Sequence, residues 1–221
     1  MPNVVWSHSA LKDFEGCPRR YHEVRVLKNH PFQETEATKY GNEVHKALEL
    51  YVKDGTPVPE AYAQFKPVVD SLIKKQGRKL PEYKMALTHD LKPCDWFSKE
   101  VWVRGIADLL IVDDEGLTAW IADYKTGNNK YPDRDQLKLM ALMVFAHFPH
   151  IRKVNSALLF LVKNDMVKDN MLVEQFDTGW QSYRERVAFI EAAIEHNVWN
   201  PRKSPLCPWC PCTTCEHHPK H

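Results

Sequence analysis

The chain has 221 residues, 43% of them apolar and 27% charged, and a formal net charge of +1. That length supports one sizeable core with an appendage, and a near-neutral balance rules out total charge as the signal of a nucleic-acid partner. No apolar run approaches the ~20 residues of a membrane span. The opening MPNVVWSHSALKDF has neither the basic region nor the apolar stretch of a signal peptide, so a cytoplasmic protein with no membrane partner is expected.

In chain order, Val4 to Trp6 reads as a short strand, and Ser7 or Ser9 as the cap of a helix running to about Gly16. Cys17-Pro18 opens a further short helix, because proline suits a first turn. Thr38 to Lys53 carries Val44, Leu48 and Tyr51 at helical spacing, with Gly55 as its stop. Glu60 to Lys75 is a second helical stretch. The pattern then turns to strands: Tyr83 to Leu91, Glu100 to Val112 and, after the turn signal Asp113-Asp114-Glu115-Gly116, Leu117 to Tyr124. A helix over Asp133 to Phe148 follows, then an apolar run from Val154 to Val162 that suits a buried strand, a strand over Met171 to Phe176, and a last helix over Gly179 to His196. This order predicts an α/β domain with a mixed central sheet flanked by helices. The expected domain spans residues 1–199, followed by a cysteine-rich tail, 200–221, that packs back on the N-terminal region.

Chemistry concentrates in two places. In the first, Asp123 and Lys125 alternate along a strand and project to one side. A four-residue turn over Asp113 to Gly116 pairs residue 108 with residue 121, so that Asp108 lies diagonal to Asp123 on the same face; a three-residue loop would put the two carboxylates on opposite faces unless a bulge intervened. Two carboxylates beside apolar Trp120 and Ile121 are costly unless a cation offsets them, and hard oxygen ligands favour Mg²⁺ or Mn²⁺. A surface Asp–Lys ion pair is the plain alternative. In the second place, Cys207, Cys210, Cys212 and Cys215 crowd together, with Cys17 and Cys94 far off in sequence. Cysteines this dense in a reducing compartment favour metal over disulfides. Arg19, Arg20, Arg25 and Lys28 form a local basic cluster that reads either as phosphate-binding or as a solvated face.

Taken together these residues resemble the RecB-like branch of the PD-(D/E)xK nuclease superfamily. The resemblance rests on Ser9-x-Leu11-x-x-Phe14-x-x-Cys17-Pro18-x-Arg20-Tyr21, Gly41-x-x-x-His45, Gly105-x-x-Asp108, Asp123-Tyr-Lys125-Thr-Gly127 and Gln136, in that order, over residues 7 to 145. It implies a restriction-endonuclease-like fold and a Mg²⁺- or Mn²⁺-dependent DNA exonuclease, with Asp108, Asp123 and Lys125 catalytic. It implies metal ligation by His45, Asp108, Asp123 and the Tyr124 carbonyl. Glu82 and Gln136 are accessory candidates, and Arg19 and Arg20 candidates for DNA contact. Ala107 stands where the family name has proline, and Met140 where many relatives have tyrosine.

The tail resembles that of iron–sulfur members of this branch, the CRISPR-associated four-cysteine exonucleases and the AddB-type and phage nucleases. By that likeness Cys17, Cys207, Cys210 and Cys215 hold a 4Fe–4S cluster. The usual final gap is five residues, whereas four separate Cys210 from Cys215, leaving Cys212 as a surplus thiol. Zn²⁺ on the C-terminal cysteines, with His217 or His218, is the alternative. DNA is the implied partner, with a helicase, recombinase or CRISPR integration protein as company. A DNA-end-binding module of a larger complex and a site-specific endonuclease are the competing readings.

Overall fold

The computed structural model describes residues 4–219. In chain order the elements are α1 (His8–Gly16), α2 (Pro18–Tyr21) running into one π-helical turn (His22–Val26), and α3 (Glu36–Asp54). A 3-10 turn (Glu60–Phe65), α4 (Lys66–Ile73), β1 (Arg78–Thr88), β2 (Val101–Asp113) and β3 (Thr118–Lys125) come next. Then follow α5 (Arg134–His147), β4 (Lys153–Phe160), β5 (Asp165–Leu172) and α6 (Phe176–His196). The chain divides into two compact units, Glu34–Trp180 and Met1–Gln33 with Gln181–His221.

The first unit is built on one five-stranded sheet in the order β1-β2-β3-β4-β5. Only the β3–β4 pair is parallel; the crossover between them carries α5, as a parallel connection requires. This is the mixed sheet between helices that the sequence predicts. On one face Val44 and Leu48 of α3 and Val69 of α4 pack with Leu109, Ile111, Ala122 and Tyr124. On the other, α5 is buried along most of its length from Leu137 to Phe145. Gly105 lets α5 approach β2: a Cβ there would stand 2.9 Å from the sulfurs of Met140 and Met143. The α3 helix is fixed at both ends. Thr35 accepts from the Thr38 amide at 3.2 Å in a capping box, and Gly55 closes it at φ 76°.

Four elements differ from the sequence reading. The first strand of the sheet is Arg78–Thr88 rather than Tyr83 to Leu91, which brings Glu82 into it. The stretch from Glu60 is a 3-10 turn followed by α4, because Pro67 has no N–H to donate and fits only a first helical turn. The last strand is Asp165–Leu172 rather than Met171 to Phe176. It is an edge strand of mostly exposed residues, so it carries no apolar alternation to read, and Asn164 at φ 48° turns the chain straight into it. Val4 and Trp6 are buried but belong to no named strand.

In the second unit Ser7 caps α1, accepting from the Ala10 amide at 3.3 Å. Ala10, Leu11 and Phe14 are buried there, as are Tyr183, Val187 and Ile190 of α6. Arg186 grips Glu15 through two bonds of 2.6 and 3.0 Å, and Trp6 stacks on Tyr183 at 5.9 Å. Beyond α6, Trp199 stacks on His22 at 4.4 Å and on Tyr21 at 6.2 Å. The Arg202 guanidinium donates to the Glu15 carbonyl. These contacts fix where the tail starts, close to Cys17.

Candidate functional site

Register decides how the acidic residues meet. β2 and β3 pair from Asp113↔Thr118 to Leu109↔Ala122, where the ladder stops. The turn residues are therefore 114–117, not 113–116, and the expected 108–121 pairing is replaced: extended by one step, the register sets Asp108 opposite Asp123. Asp113 accepts from the Gly116 amide at 3.0 Å, and Leu117 takes φ 50°, which together shift the turn by one residue. On its other edge, β2 pairs Pro81↔Leu109 and Tyr83↔Ala107, which puts Glu82 opposite Asp108. Three carboxylates thus stand in one row across β1, β2 and β3.

Regular alternation breaks at this row. Ile106 and Asp108 line a cavity with α3, yet Leu109 and Ile111 also pack against α3. A strand alternates its side chains, so the backbone must turn between Asp108 and Leu109. The ladder bond lost there is replaced by the Tyr124 amide donating to Asp108 Oδ2 at 2.6 Å. Glu82 has φ 48°, a left-handed conformation that strains a non-glycine residue by roughly 1–2 kcal/mol. Strain of this kind concentrates at functional sites.

The result is a group of three side chains, His45, Glu82 and Asp108, whose ligand atoms lie within 4.8 Å of one another. His45 Nδ1 stands 3.4 Å from Asp108 Oδ1. Gly41, one turn before His45, lets the loop after β3 close over the helix: a Cβ there would sit 3.1 Å from Thr126 Oγ1. The group opens on a cavity of about 710 Å³, lined also by Tyr40, Lys46 and Glu49.

Asp123 and Lys125 take up the other side of β3. Their neighbours Ala122 and Tyr124 belong to the α3 core, while Asp123 and Lys125 both reach Gln136 on α5. Gln136 donates to Asp123 Oδ1 at 2.5 Å and accepts from Lys125 Nζ at 3.0 Å. The simple picture of both aspartates rising from one face is thereby corrected: where the β2–β3 ladder stops, Asp108 faces the α3 cavity and Asp123 reaches α5, while the Asp108 charge is still felt at Asp123.

The residues fit a divalent cation. Asp123 Oδ1 accepts from Gln136 and Oδ2 faces Lys125 Nζ at 2.6 Å in an ion pair, so each oxygen keeps a further lone pair to give. Electrostatics agree. Burial, and then the Asp108 charge, push the Asp123 carboxyl up to about 6. Burial and Asp108 likewise raise Glu82. Burial opposes charge on His45, but the Asp108 hydrogen bond and the carboxylates around it prevail and raise it. Negative charge in excess of what the site can neutralise is the condition a cation relieves.

Glu82, an accessory candidate in the sequence, is thus brought into the His45–Asp108 group. Its place depends on pairing with β2, which no pattern within β1 reveals. Gln136 bridges Asp123 and Lys125.

The cysteines gather in the second unit around a cavity of about 470 Å³, lined by Cys17, Cys207, Cys210, Cys212 and Cys215 together with His218. None of these five cysteines is in a disulfide. Backbone amides already serve two of the sulfurs: Arg202 N reaches Cys17 Sγ at 3.4 Å and Ser204 N reaches Cys207 Sγ at 3.3 Å. Burial, then Cys210, push the Cys212 thiol up to about 12. Of the two arginines put forward for DNA, Arg20 is paired with Asp13 at 3.0 Å, and both line this cavity. Among the described residues no helix is long and apolar enough to cross a membrane.

The profile of the PD-(D/E)XK nuclease superfamily matches residues 5–215. Among solved structures, the chain is similar to a protein from Eubacterium rectale that bears the name "Putative exonuclease", at TM-score 0.53 and 14% identity. The match covers 92% of this chain and 86% of that one. A second, SSO0001, aligns at TM-score 0.47 and 14% identity over 95% of this chain and 84% of its own. No curated protein matches the chain.

Proposed function

Since the chain belongs to the PD-(D/E)XK nuclease superfamily, we propose that it is a Mg²⁺- or Mn²⁺-dependent deoxyribonuclease that works as an exonuclease on single-stranded or end-containing DNA. The observation that carries this reading is the meeting of His45, Glu82 and Asp108 within 4.8 Å at an open cavity, with Asp123 and Lys125 on the adjoining strand. The name of the E. rectale protein points the same way for the mode of cleavage.

His45, Glu82, Asp108, Asp123 and the Tyr124 carbonyl would hold the cation. Bound there, it would supply Lewis acidity toward the phosphodiester and lower the pKa of water. The chain's own residues do the rest. Lys125, held by Gln136, orients the attacking water and stabilises charge that develops on the phosphate oxygens. Gln136 also fixes Asp123, so the carboxylate and the ammonium keep one geometry through the reaction. The Tyr124 amide pins Asp108 from below, which leaves its Oδ1, the oxygen facing His45, directed to the cavity.

For the cysteine cavity we hold to a 4Fe–4S cluster on Cys17, Cys207, Cys210 and Cys215, with Zn²⁺ as the alternative. A yellow-brown protein with broad absorption toward the blue supports iron–sulfur; a colourless, zinc-containing protein overturns it.

The test of the main reading is degradation of end-labelled single-stranded DNA with Mn²⁺ by the wild type, Asp108→Ala and Lys125→Ala. Activity in the wild type and its loss in both variants is expected. Equal activity in all three overturns the assignment. Cutting of closed circles at fixed sites would replace the exonuclease reading with an endonuclease.

A further inference from the structure

Apart from the carboxylate row, the same face of the β1–β2 ribbon carries a patch that the cleavage chemistry does not use. Lys84 pairs directly with Ile106, and Ala86 with Arg104. Directly opposed residues share a face, as do residues two apart in a strand. Ile106 lines the cavity with Glu82 and Asp108, so Lys84 and Arg104 continue that face away from the carboxylates. Two and four residues along a strand correspond to about 7 and about 13 Å.

The segment between β1 and β2 folds back onto this strip. It is tied by Cys94 N to the Ala86 carbonyl at 3.1 Å and by a bridge between Leu87 and Pro93. It delivers two aromatic rings. Lys84 Nζ lies 5.6 Å and the Arg104 guanidinium 5.3 Å from the centre of the Trp96 ring, and Arg104 lies 6.0 Å from that of Phe97. Arg104 Nε is buried and meets no acceptor, so the rings rather than an acceptor hold the guanidinium in place. Among the described residues neither Lys84 nor Arg104 has a carboxylate within ion-pair distance. Phe97 is 85% exposed.

An exposed phenylalanine, a half-buried tryptophan and two cations outside any ion pair are a poor fit for water and a good fit for a chain of alternating π-faces and phosphates. We infer that Trp96, Phe97, Lys84 and Arg104 form a binding strip for single-stranded nucleic acid, which feeds the strand along β1–β2 to the carboxylate row. Phe97 and Trp96 take bases by stacking; Lys84 and Arg104 take the phosphates. Bases inside a duplex are already stacked on one another, so the strip selects an unpaired end. This inference rests on the nuclease reading above and assigns the residues that hold an unpaired strand beside the same site.

Two experiments separate the two readings. First, wild type and Asp108→Ala are compared on bis(p-nitrophenyl) phosphate, a small diester, with Mn²⁺, and hydrolysis by the wild type alone is expected; no hydrolysis by the wild type overturns the nuclease reading itself. Lys84 and Phe97 are exposed, so Lys84→Gln and Phe97→Ala should melt at the temperature of the wild type. Second, a fluorescein-labelled thymidine oligonucleotide is titrated in Ca²⁺, which permits binding without turnover. Phe97→Ala should bind about 10-fold more weakly, and Lys84→Gln should lower the slope of log affinity against log salt by about 0.7. Binding of a blunt duplex should be unchanged by Phe97→Ala. Oligonucleotide affinity and salt slope that match the wild type in both variants would overturn the strip, whatever the first experiment gives; so would an equal loss on the duplex.

Discussion

The two functional regions are assembled in opposite ways. The carboxylate row sits on paired strands, where each carboxylate's position follows from register and from one local break in alternation. The cysteine cavity is lined by loops and helix ends, with a few amide–sulfur bonds and ring stacks as its framework. A scaffold of strands holds side chains in place before any ion arrives; loops gain their order largely from what they bind. The carboxylate site should therefore be judged by chemistry, and the cysteine site by stability.

The sharpest way to break this contrast is to remove the reacting groups. Asp123→Ala and Lys125→Ala should each lower the rate of DNA cleavage by about 10³-fold or more while the protein still folds, with melting temperatures within a few degrees of the wild type. A collapse of folding in both would mean that the pair is structural.

Next comes the membership of the ion site. If Glu82 is a ligand beside His45, then Glu82→Gln and His45→Ala should each weaken Mn²⁺ binding by about 10- to 100-fold in calorimetric titration, with Glu100→Gln as the unaffected control. Equal affinity in the Glu82 variant would remove it from the site. Its left-handed backbone would then lack a functional explanation.

For the cysteine region, Cys17→Ser should cost about 3 kcal/mol, or roughly 10 °C in melting temperature, by analogy with a crosslink that closes a long loop. Hydrolysis of a small diester should persist. Chelation or oxidation of the bound metal should mimic the variant. A Cys17→Ser protein with unchanged colour and stability would leave the metal to the C-terminal thiols alone.

The smallest effect is in pH. Asp123 titrates at about 6 in the folded, metal-free protein, above the ordinary aspartate value of 3.8. The folded state then holds the proton more tightly than the unfolded state. Its contribution favours folding below about pH 4 and is lost as pH rises through 6. Asp123→Asn removes that loss. In chelator the variant should gain a few degrees over the wild type between pH 4 and pH 7, and Mg²⁺ should narrow the gap. A gap that is constant with pH would contradict the raised pKa.

Much of the molecule was legible in advance, for reasons that differ by residue. Helix α3 announces itself by its glycine stop and its periodic apolar stripe, and α5, on the opposite face of the sheet, by a near-continuous apolar run from Leu137 to Phe145. Asp123, Lys125 and Gln136 are identifiable because a strand end and a helix start carry them in fixed local order. β5 escaped because an exposed edge strand needs no apolar pattern. Trp96 and Phe97 were passed over because a connecting loop gives no hint of which strand face it will return to.

By itself the sequence determined the order of elements, the family pattern and the residue types able to bind a cation, all of which depend on neighbours along the chain. Tertiary structure alone decided that Glu82 stands opposite Asp108, and Asp108 opposite Asp123, across three strands. It also decided that the alternation breaks at their row. Register is a sum over pairings between distant segments, and one residue of slip in a turn moves every partner. No local rule could place these carboxylates; only the closed sheet does.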